Sequence, residues 1–239
     1  MVQTGRASIV IPCYNQANYL TDAIESALAQ TYHDVEVIVV NDGSPDDTSE
    51  VARRYPVVLV EQENKGLSGA RNAGIAASTG QFILPLDADD MIHPTYIEKA
   101  VPLFTTGVGI VRAYQQNFGD DTTAYALPEV RTVYDILPRN AICCCSVFRQ
   151  DLWEKVGGFD EGMRSGYEDW EFWIRILAKR KQVRTIPEVL FFYRKHGRSM
   201  VDDAVEQHAD IFNYIVTKHR RLYRDVGIAP LPQAPGESS

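Results

Sequence analysis

Gln81-Phe82-Ile83-Leu84-Pro85-Leu86-Asp87-Ala88-Asp89-Asp90 is the stretch on which the fold of this 239-residue chain turns. An apolar run of strand length ends in three carboxylates within four residues. That pattern predicts a buried strand over 81–86 that delivers negative charge to a sheet edge, where open α/β sheets place ligands. Carboxylates so close raise one another's pKa unless a cation offsets them, and Mg²⁺ or Mn²⁺ suits oxygen ligands from one or two carboxylates plus phosphate oxygens. The competing reading is an acidic loop, with Asp90 or His93 capping a helix that begins at Pro94.

On the N-terminal side the same rhythm repeats. Ala7 to Pro12 reads as a buried strand stopping at Pro12-Cys13-Tyr14-Asn15, and Leu20, Ala23, Ile24, Ala27 and Leu28 recur at helical spacing. Val35 to Val40 is a second β-branched strand, ending at Asn41-Asp42-Gly43-Ser44, with Ser44, Pro45 and Asp47 expected at the N-cap, first and third positions of a helix. Val57 to Val60 gives a third strand, and 66–77 a helix of small residues able to pack closely on a sheet. Strand-helix alternation to about residue 105 predicts a parallel, right-handed, doubly wound α/β sheet.

Beyond that point the pattern loosens. Val108 to Phe118 and Thr122 to Leu127 read as strands around a Gly119-Asp120-Asp121 turn, and Val147-Phe148 and Val189 to Tyr193 as strands that need not be parallel. Trp170, Trp173, Ile174 and Leu177 mark a helix, and a last helix is expected over about 204–223. The chain is thus read as one domain over 1–225, with a regular half at about 7–105, a less regular half at about 106–225, and a disordered Pro- and Ser-containing tail at 226–239.

With 45% apolar residues the chain can bury a large core, and 24 basic against 32 acidic residues give a net charge of -8, which excludes a nucleic-acid-binding field. Cys13, Cys143, Cys144 and Cys145 are read as small buried hydrophobes in a reducing compartment, since neighbouring strand residues face opposite ways and make a poor tetrahedral metal site. There is no apolar signal core at the N-terminus, and no apolar run approaches the ~18 residues of a membrane span, so the expectation is cytoplasmic. The basic stretch Lys218, His219, Arg220, Arg221 and Arg224 reads either as a solvated helix end or as peripheral contact with the inner membrane face.

Three strand ends, at Pro12 to Asn15, Asn41 to Ser44 and Asp87 to Asp90, converge on one sheet edge. They offer an aromatic face at Tyr14, an acceptor at Asp42 and a metal locus at Asp87 and Asp89, which suit a base, its ring N–H and a pyrophosphate.

These motifs, with Asn64-Lys65-Gly66, Gly69-Ala70-Arg71-Asn72, Gly157-Gly158-Phe159-Asp160-Glu161 and Tyr167-Glu168-Asp169-Trp170-Glu171-Phe172, resemble those of the inverting family 2 glycosyltransferases with the GT-A fold. The resemblance spans about residues 7–200 and implies that the half at about 7–105 binds the nucleotide and the half at about 106–225 lies on the acceptor side. It implies a nucleotide-diphospho-sugar donor, usually a UDP-sugar, and a saccharide or lipid-linked saccharide acceptor, as in surface polysaccharide or glycolipid synthesis. It implies further that Pro12, Tyr14, Asn15 and Asp42 hold the base, that Asn64, Lys65 and Arg71 approach the nucleotide, and that Asp87, Ala88 and Asp89 serve the ribose and the metal-bound pyrophosphate. Mn²⁺ or Mg²⁺ is expected on Asp89 and Asp87, with His196 as a further ligand.

Inverting transfer needs a general base opposite the departing diphosphate. The resemblance puts that role on Asp169, with Glu168 orienting the acceptor. The plain alternative is that Glu168, Asp169 and Glu171 complement a helix dipole. A nucleotidyltransferase or a nicotinamide dehydrogenase would need a Gly-rich loop after the first strand, which Pro12-Cys13-Tyr14-Asn15-Gln16 lacks. An inactive nucleotide-sugar-binding or scaffold module is the non-enzymatic alternative.

Overall fold

In the computed structural model, residues 4–197 and 200–232 are described. β1 (Ala7–Cys13) is buried at all seven positions, as a central strand flanked on both sides must be. It pairs in parallel with β2 (Val35–Asp42) on one side and β4 (Phe82–Pro85) on the other, and β3 (Val58–Gln62) extends the sheet beyond β2. None of the five residues of β3 is fully buried, which suits its place at the edge. α1 (Ala17–Leu28), α2 (Thr48–Ala52) and α3 (Gly66–Ala77) make the crossovers.

The small residues of α3 have the use read from them. A Cβ added at Gly74 would lie 2.3 Å from Val10 Cγ1 and 2.8 Å from Val40 Cγ2, so the helix seats on β1 and β2 at a distance only glycine allows.

The remaining elements, in chain order, begin with β5 (Met91–Ile92), α4 (Tyr96–Ala100), β6 (Val108–Gly119) and β7 (Ala124–Tyr125). A 3-10 turn at Val133–Ile136 precedes β8 (Val147–Arg149), α5 (Gln150–Val156), α6 (Glu168–Ala178) and β9 (Gln182–Lys195). Three helices follow: α7 (Met200–Glu206), α8 (His208–Lys218) and α9 (Arg220–Asp225). The sheet order is β3-β2-β1-β4-β8-β6-β9-β5, with β7 on β6. β8 runs antiparallel to both β4 and β6, β9 parallel to β6, and β5 antiparallel to β9. The mixed pairing therefore falls in the second half, as its irregular sequence rhythm indicated. One core packs α1 and α4 on the sheet, and the other packs α3, α5, α6 and α8 on its opposite face.

Several boundaries differ from the sequence reading. α2 starts at Thr48 instead of after a Ser44 cap, because the Asp46 carboxylate accepts from the Thr48 N–H (3.2 Å), Thr48 Oγ1 (2.6 Å) and the Ala17 N–H (2.8 Å). Ser44 is spent elsewhere, donating through Oγ to the Cys13 carbonyl at 3.2 Å. α4 begins two residues after Pro94, whose carbonyl accepts from the Thr31 N–H at 2.8 Å. The single last helix is three, broken at Gln207 and His219. Of the tail, Leu231 exchanges two hydrogen bonds with the Asn213 side chain, at 2.6 and 2.9 Å, while 233–239 lie outside the described residues. All four cysteines are free thiols. Among the described residues no helix is long and apolar enough to cross a membrane.

Candidate active site

Because β1 sits between β2 and β4, their three carboxyl ends are brought side by side, as the sequence reading required. Pro12 is buried in register with Val40, and the chain then turns outward. Tyr14 is 51% exposed, which leaves a ring face open to a ligand. Asn15 adopts a left-handed φ of 55°, a conformation asparagine tolerates, and its N–H donates to Ser44 Oγ at 3.1 Å.

Asp42, at the end of β2, is 2% exposed and already well occupied. Its Oδ1 accepts from Gln62 Nε2 (2.7 Å) and the Lys65 N–H (2.8 Å), and its Oδ2 from the Gly66 N–H (2.9 Å). A carboxylate at the first turn of α3 satisfies N–H groups that have no partner within the helix. Asp42 thereby fixes the loop that carries the exposed Asn64 and Lys65.

Arg71 does not lie open to a nucleotide. It is 1% exposed; its Nη2 donates to Asp87 Oδ1 at 2.7 Å and its Nη1 to Glu168 Oε1 at 2.5 Å. The guanidinium also lies over the Phe159 ring, 5.5 Å from its centroid. Burial alone would lower its pKa, but the charges of Asp87 and Glu168 more than reverse that, and the net direction is well upward. An arginine so placed stays charged and ties the end of β4 to the start of α6. Glu168 is itself 5% exposed.

After β4, Asp87 and Asp89 stay partly accessible while Ala88 and Asp90 are fully buried. The second oxygen of Asp87 accepts from Cys144 Sγ at 3.3 Å. Asp89 Oδ2 lies 2.9 Å from His196 Nε2, and the His196 ring packs on Tyr19 with centroids 4.6 Å apart. His196 is thus brought to the acidic cluster. Asp90 accepts the Arg194 N–H at 2.8 Å through Oδ1, while its Oδ2 is buried without a partner. Burial first, then the charges of Asp89 and Asp87, push its carboxyl well up. Arg194 also donates to the Asp89 carbonyl (2.7 Å) and to Asp22 (2.6 Å), locking the loop to β9. Among the described residues no three His, Cys, Asp or Glu side chains gather as a metal-binding group. The pair Asp89 and His196 still supplies one carboxylate and one imidazole, a donor set that fits a divalent ion when phosphate oxygens complete its shell. Asp87, expected beside them, has its oxygens engaged by Arg71 and Cys144.

Asp169 is half-buried in the first turn of α6. Its Oδ1 accepts the Trp170 N–H at 2.7 Å and its Oδ2 accepts Asn140 Nδ2 at 3.0 Å. Burial, then the neighbouring charge of Glu168, outweigh Arg71 and these two donors, and the carboxyl is pushed up to about 7. A carboxyl poised near neutrality suits proton acceptance at physiological pH. Glu171, two residues on, is different in kind. It is fully buried and accepts from Arg175 (2.7 Å), His219 (2.8 Å) and Lys218 (3.0 Å), and although burial alone would raise its pKa these partners bring it down to about 2.

The sequence names Asn140 and Cys144 only as members of a stretch at about 139–145 expected to contribute to sugar selectivity, and it gives Arg194 no role. Each acts across at least 29 positions, on Asp169, Asp87 and the Asp89-Asp90 pair respectively, and no local pattern announces such contacts.

The chain matches the profile described as Glycosyl transferase family 2 over residues 8–157 and that of Glycosyltransferase like family 2 over 112–227. It is 31% identical over 215 residues to an uncharacterized glycosyltransferase of Rickettsia prowazekii, covering 84% of this chain and 67% of that protein. In fold it resembles residues 1–349 of TarS from S. aureus, solved in complex with UDP-GlcNAc, with a TM-score of 0.76 and 18% identity over 89% of this chain and 66% of that one. It also resembles a mannosyltransferase from Pyrobaculum calidifontis in complex with GDP-Man and Mn²⁺, with a TM-score of 0.71 and 21% identity over 94% of this chain and 68% of that one.

Proposed function

The chain belongs to glycosyl transferase family 2, an inverting family with the GT-A fold, and from that premise we propose that it moves one sugar from a UDP-sugar to an acceptor hydroxyl with Asp169 as general base. The observation that carries this reading is the half-buried Asp169 carboxyl, pushed up to about 7 at the head of α6 and linked through Glu168 and Arg71 to the donor-side Asp87. An acceptor hydroxyl is a weak nucleophile at neutral pH, and removal of its proton as the new bond forms is the work such a carboxylate does.

On the donor side, the open face of Tyr14 stacks on the base, beside Pro12 and Asn15. The free acceptor capacity of Asp42 Oδ2 meets the ring N–H, and Asn64 and Lys65 line the nucleotide. Arg71 serves the donor through Asp87, while Asp87 and the backbone around Ala88 face the ribose and pyrophosphate. Asp89 and His196 would hold Mn²⁺ or Mg²⁺; the ion, when bound, stabilises the negative charge of the departing diphosphate. Glu168, held by Arg71, sets the placement of its neighbour Asp169. The acceptor is read as a saccharide or lipid-linked saccharide of surface polysaccharide or glycolipid synthesis; exposed Tyr125 and Tyr134 in the second half offer aromatic faces for it.

We read residues 1–225 as one catalytic domain with its donor half before about residue 105, in a cytoplasmic setting. The expected membrane contact narrows to Arg220, Arg221 and Arg224, which are exposed, because Lys218 and His219 turn inward to Glu171. Absence of binding to anionic vesicles at low salt would end that part of the reading.

The test is thermal unfolding with UDP, GDP, CDP and dTDP, each with and without Mn²⁺, followed by turnover of the matching nucleotide sugars. A nucleotide at ~100 times its dissociation constant adds about 2.7 kcal/mol, a resolvable rise in the midpoint. The expected result is a Mn²⁺-dependent rise with UDP and sugar transfer that falls by orders of magnitude in Asp169→Asn. Binding without turnover of any nucleotide sugar would favour the inactive-module alternative, and no shift with any nucleotide would sink the donor assignment.

A further inference from the structure

The Cys143-Cys144-Cys145 run and the asparagine before it form a segment fixed from beneath. Ala141 and Ile142 are buried in the core, and the Ala141 carbonyl accepts from Arg112 Nη1. Cys145 is fully buried and its carbonyl accepts from Tyr96 Oη at 2.9 Å. Ser146 closes the turn, its N–H donating to the Cys144 carbonyl at 2.8 Å and its Oγ to the Cys143 carbonyl at 2.9 Å.

From the two ends of this pinned segment, two side chains reach the site. Asn140 Nδ2 donates to Asp169 Oδ2 at 3.0 Å, and Cys144 Sγ donates to Asp87 Oδ2 at 3.3 Å. The orientation of the Asn140 amide follows from its network: Oδ1 accepts the Ile142 N–H at 3.2 Å, so the NH₂ group is the one turned to the carboxylate.

We propose that Asn140 and Cys144 are positioning residues, which hold the base Asp169 and the donor-side carboxylate Asp87 at a fixed separation through one rigid segment. The inference rests on the reading of Asp169 as base. Arg71 makes a parallel tie through Glu168, so donor and acceptor sides are braced twice. Burial and then Glu168 favour the neutral form of Asp169, whereas Arg71, Asn140 and the Trp170 N–H favour the charged form. Tyr167, Cys143 and Cys144 feel the charge of Asp169 in turn. Of all these, Asn140 is exposed and removable without opening the core.

The experiment uses Asn140→Ala, Cys144→Ala and Cys144→Ser in the full chain, each first compared with wild type in unliganded melting. Three readouts follow: carbon-13 titration of the Asp169 carboxyl, assigned by its loss in Asp169→Asn; the midpoint rise with UDP and Mn²⁺; and UDP release from the nucleotide sugar that turns over. In Asn140→Ala the Asp169 titration should move to higher pH and kcat should fall at least about tenfold, as expected for loss of a hydrogen bond to a charged group, while the UDP–Mn²⁺ shift stays. In Cys144→Ala the Asp169 titration should stay and the UDP–Mn²⁺ shift should shrink; Cys144→Ser should restore it, since a hydroxyl can donate to Asp87. An unmoved Asp169 titration in Asn140→Ala, or Cys144→Ser behaving as Cys144→Ala, overturns the positioning role. If Asp169→Asn retains transfer, the base assignment itself falls and this inference with it. If that variant is inactive while Asn140→Ala titrates as wild type, the positioning role alone is lost.

Discussion

Glu171→Gln separates the two roles that the acidic first turn of α6 combines. Glu171 has no exposed surface and is surrounded by Arg175, His219 and Lys218, whose side chains are 16%, 12% and 31% exposed, so solvent screens these contacts little. Its carboxyl sits at about 2 instead of the ordinary 4.5; burial opposes this and the hydrogen bonds from His219 and Arg175 lead the lowering. At 1.36 kcal/mol per pKa unit, that displacement corresponds to about 3 kcal/mol of stability at neutral pH. The cost of breaking a buried ion pair, about 3–5 kcal/mol, agrees in order of magnitude. Because the folded value lies below the unfolded one, the contribution is complete above pH 4.5 and is lost as pH falls through about 2. Urea unfolding at a series of pH values is the assay. At pH 7 the variant should be less stable by about 3 kcal/mol, or about 6–12 °C in melting midpoint for a chain of this size, and the gap to wild type should close between pH 4.5 and about 2. Equal midpoints at pH 7, or a gap that persists undiminished in acid, would show that the charge of Glu171 does not stabilise the fold.

Three further outcomes are expected. Transfer should rise with pH through about 7 and then level, since Asp169 must lose its proton to act as base, and a rate flat from pH 5 to 9 would exclude it. Asp89→Ala should abolish the Mn²⁺ dependence of nucleotide binding by calorimetry and His196→Ala should weaken it, while an Asp89→Ala protein with unchanged Mn²⁺ dependence would rule out the pair as the metal locus. Gly74→Val should destabilise the chain by about 1–3 kcal/mol or more in denaturant melts, because its side chain would collide with Val10 and Val40; a neutral effect would mean that α3 can lift from the sheet.

The strands of the first half were legible because each is a mostly apolar, strand-length run between turn residues, and α3 because its small residues allow close packing on the sheet. The boundaries that went astray did so where side chains outbid local propensity. Asp46, rather than Ser44, organises the start of α2, and its partner Ala17 comes from another loop. The last three helices look like one because Ile211, Tyr214 and Ile215 keep helical spacing and neither break carries glycine or proline. In the site, the strand-end residues announced themselves through position, but their partners did not. Nothing near Arg71 in sequence says that its two carboxylates come from 16 and 97 residues away.

The enclosure of Arg71 also bears on why such a costly arrangement sits here. Burying a guanidinium and two carboxylates removes much of their hydration, and a triad of this kind is often no more stable than a well-packed apolar replacement. Stability alone therefore does not account for it. What an apolar cluster could not do is fix direction: Nη1 and Nη2 of one planar group point at Glu168 and Asp87, so the start of α6 and the end of β4 are set at a defined angle and distance. The carboxyl next to Glu168 is Asp169, and the residues just after Asp87 lead to Asp89 and His196. A displacement in which the base and the diphosphate side must stand on opposite faces of one sugar depends on that separation, since misplacement of reacting groups by about 1 Å can cost a hundredfold in rate. Arg71→Met should accordingly harm transfer more than nucleotide binding, even in a protein that melts normally.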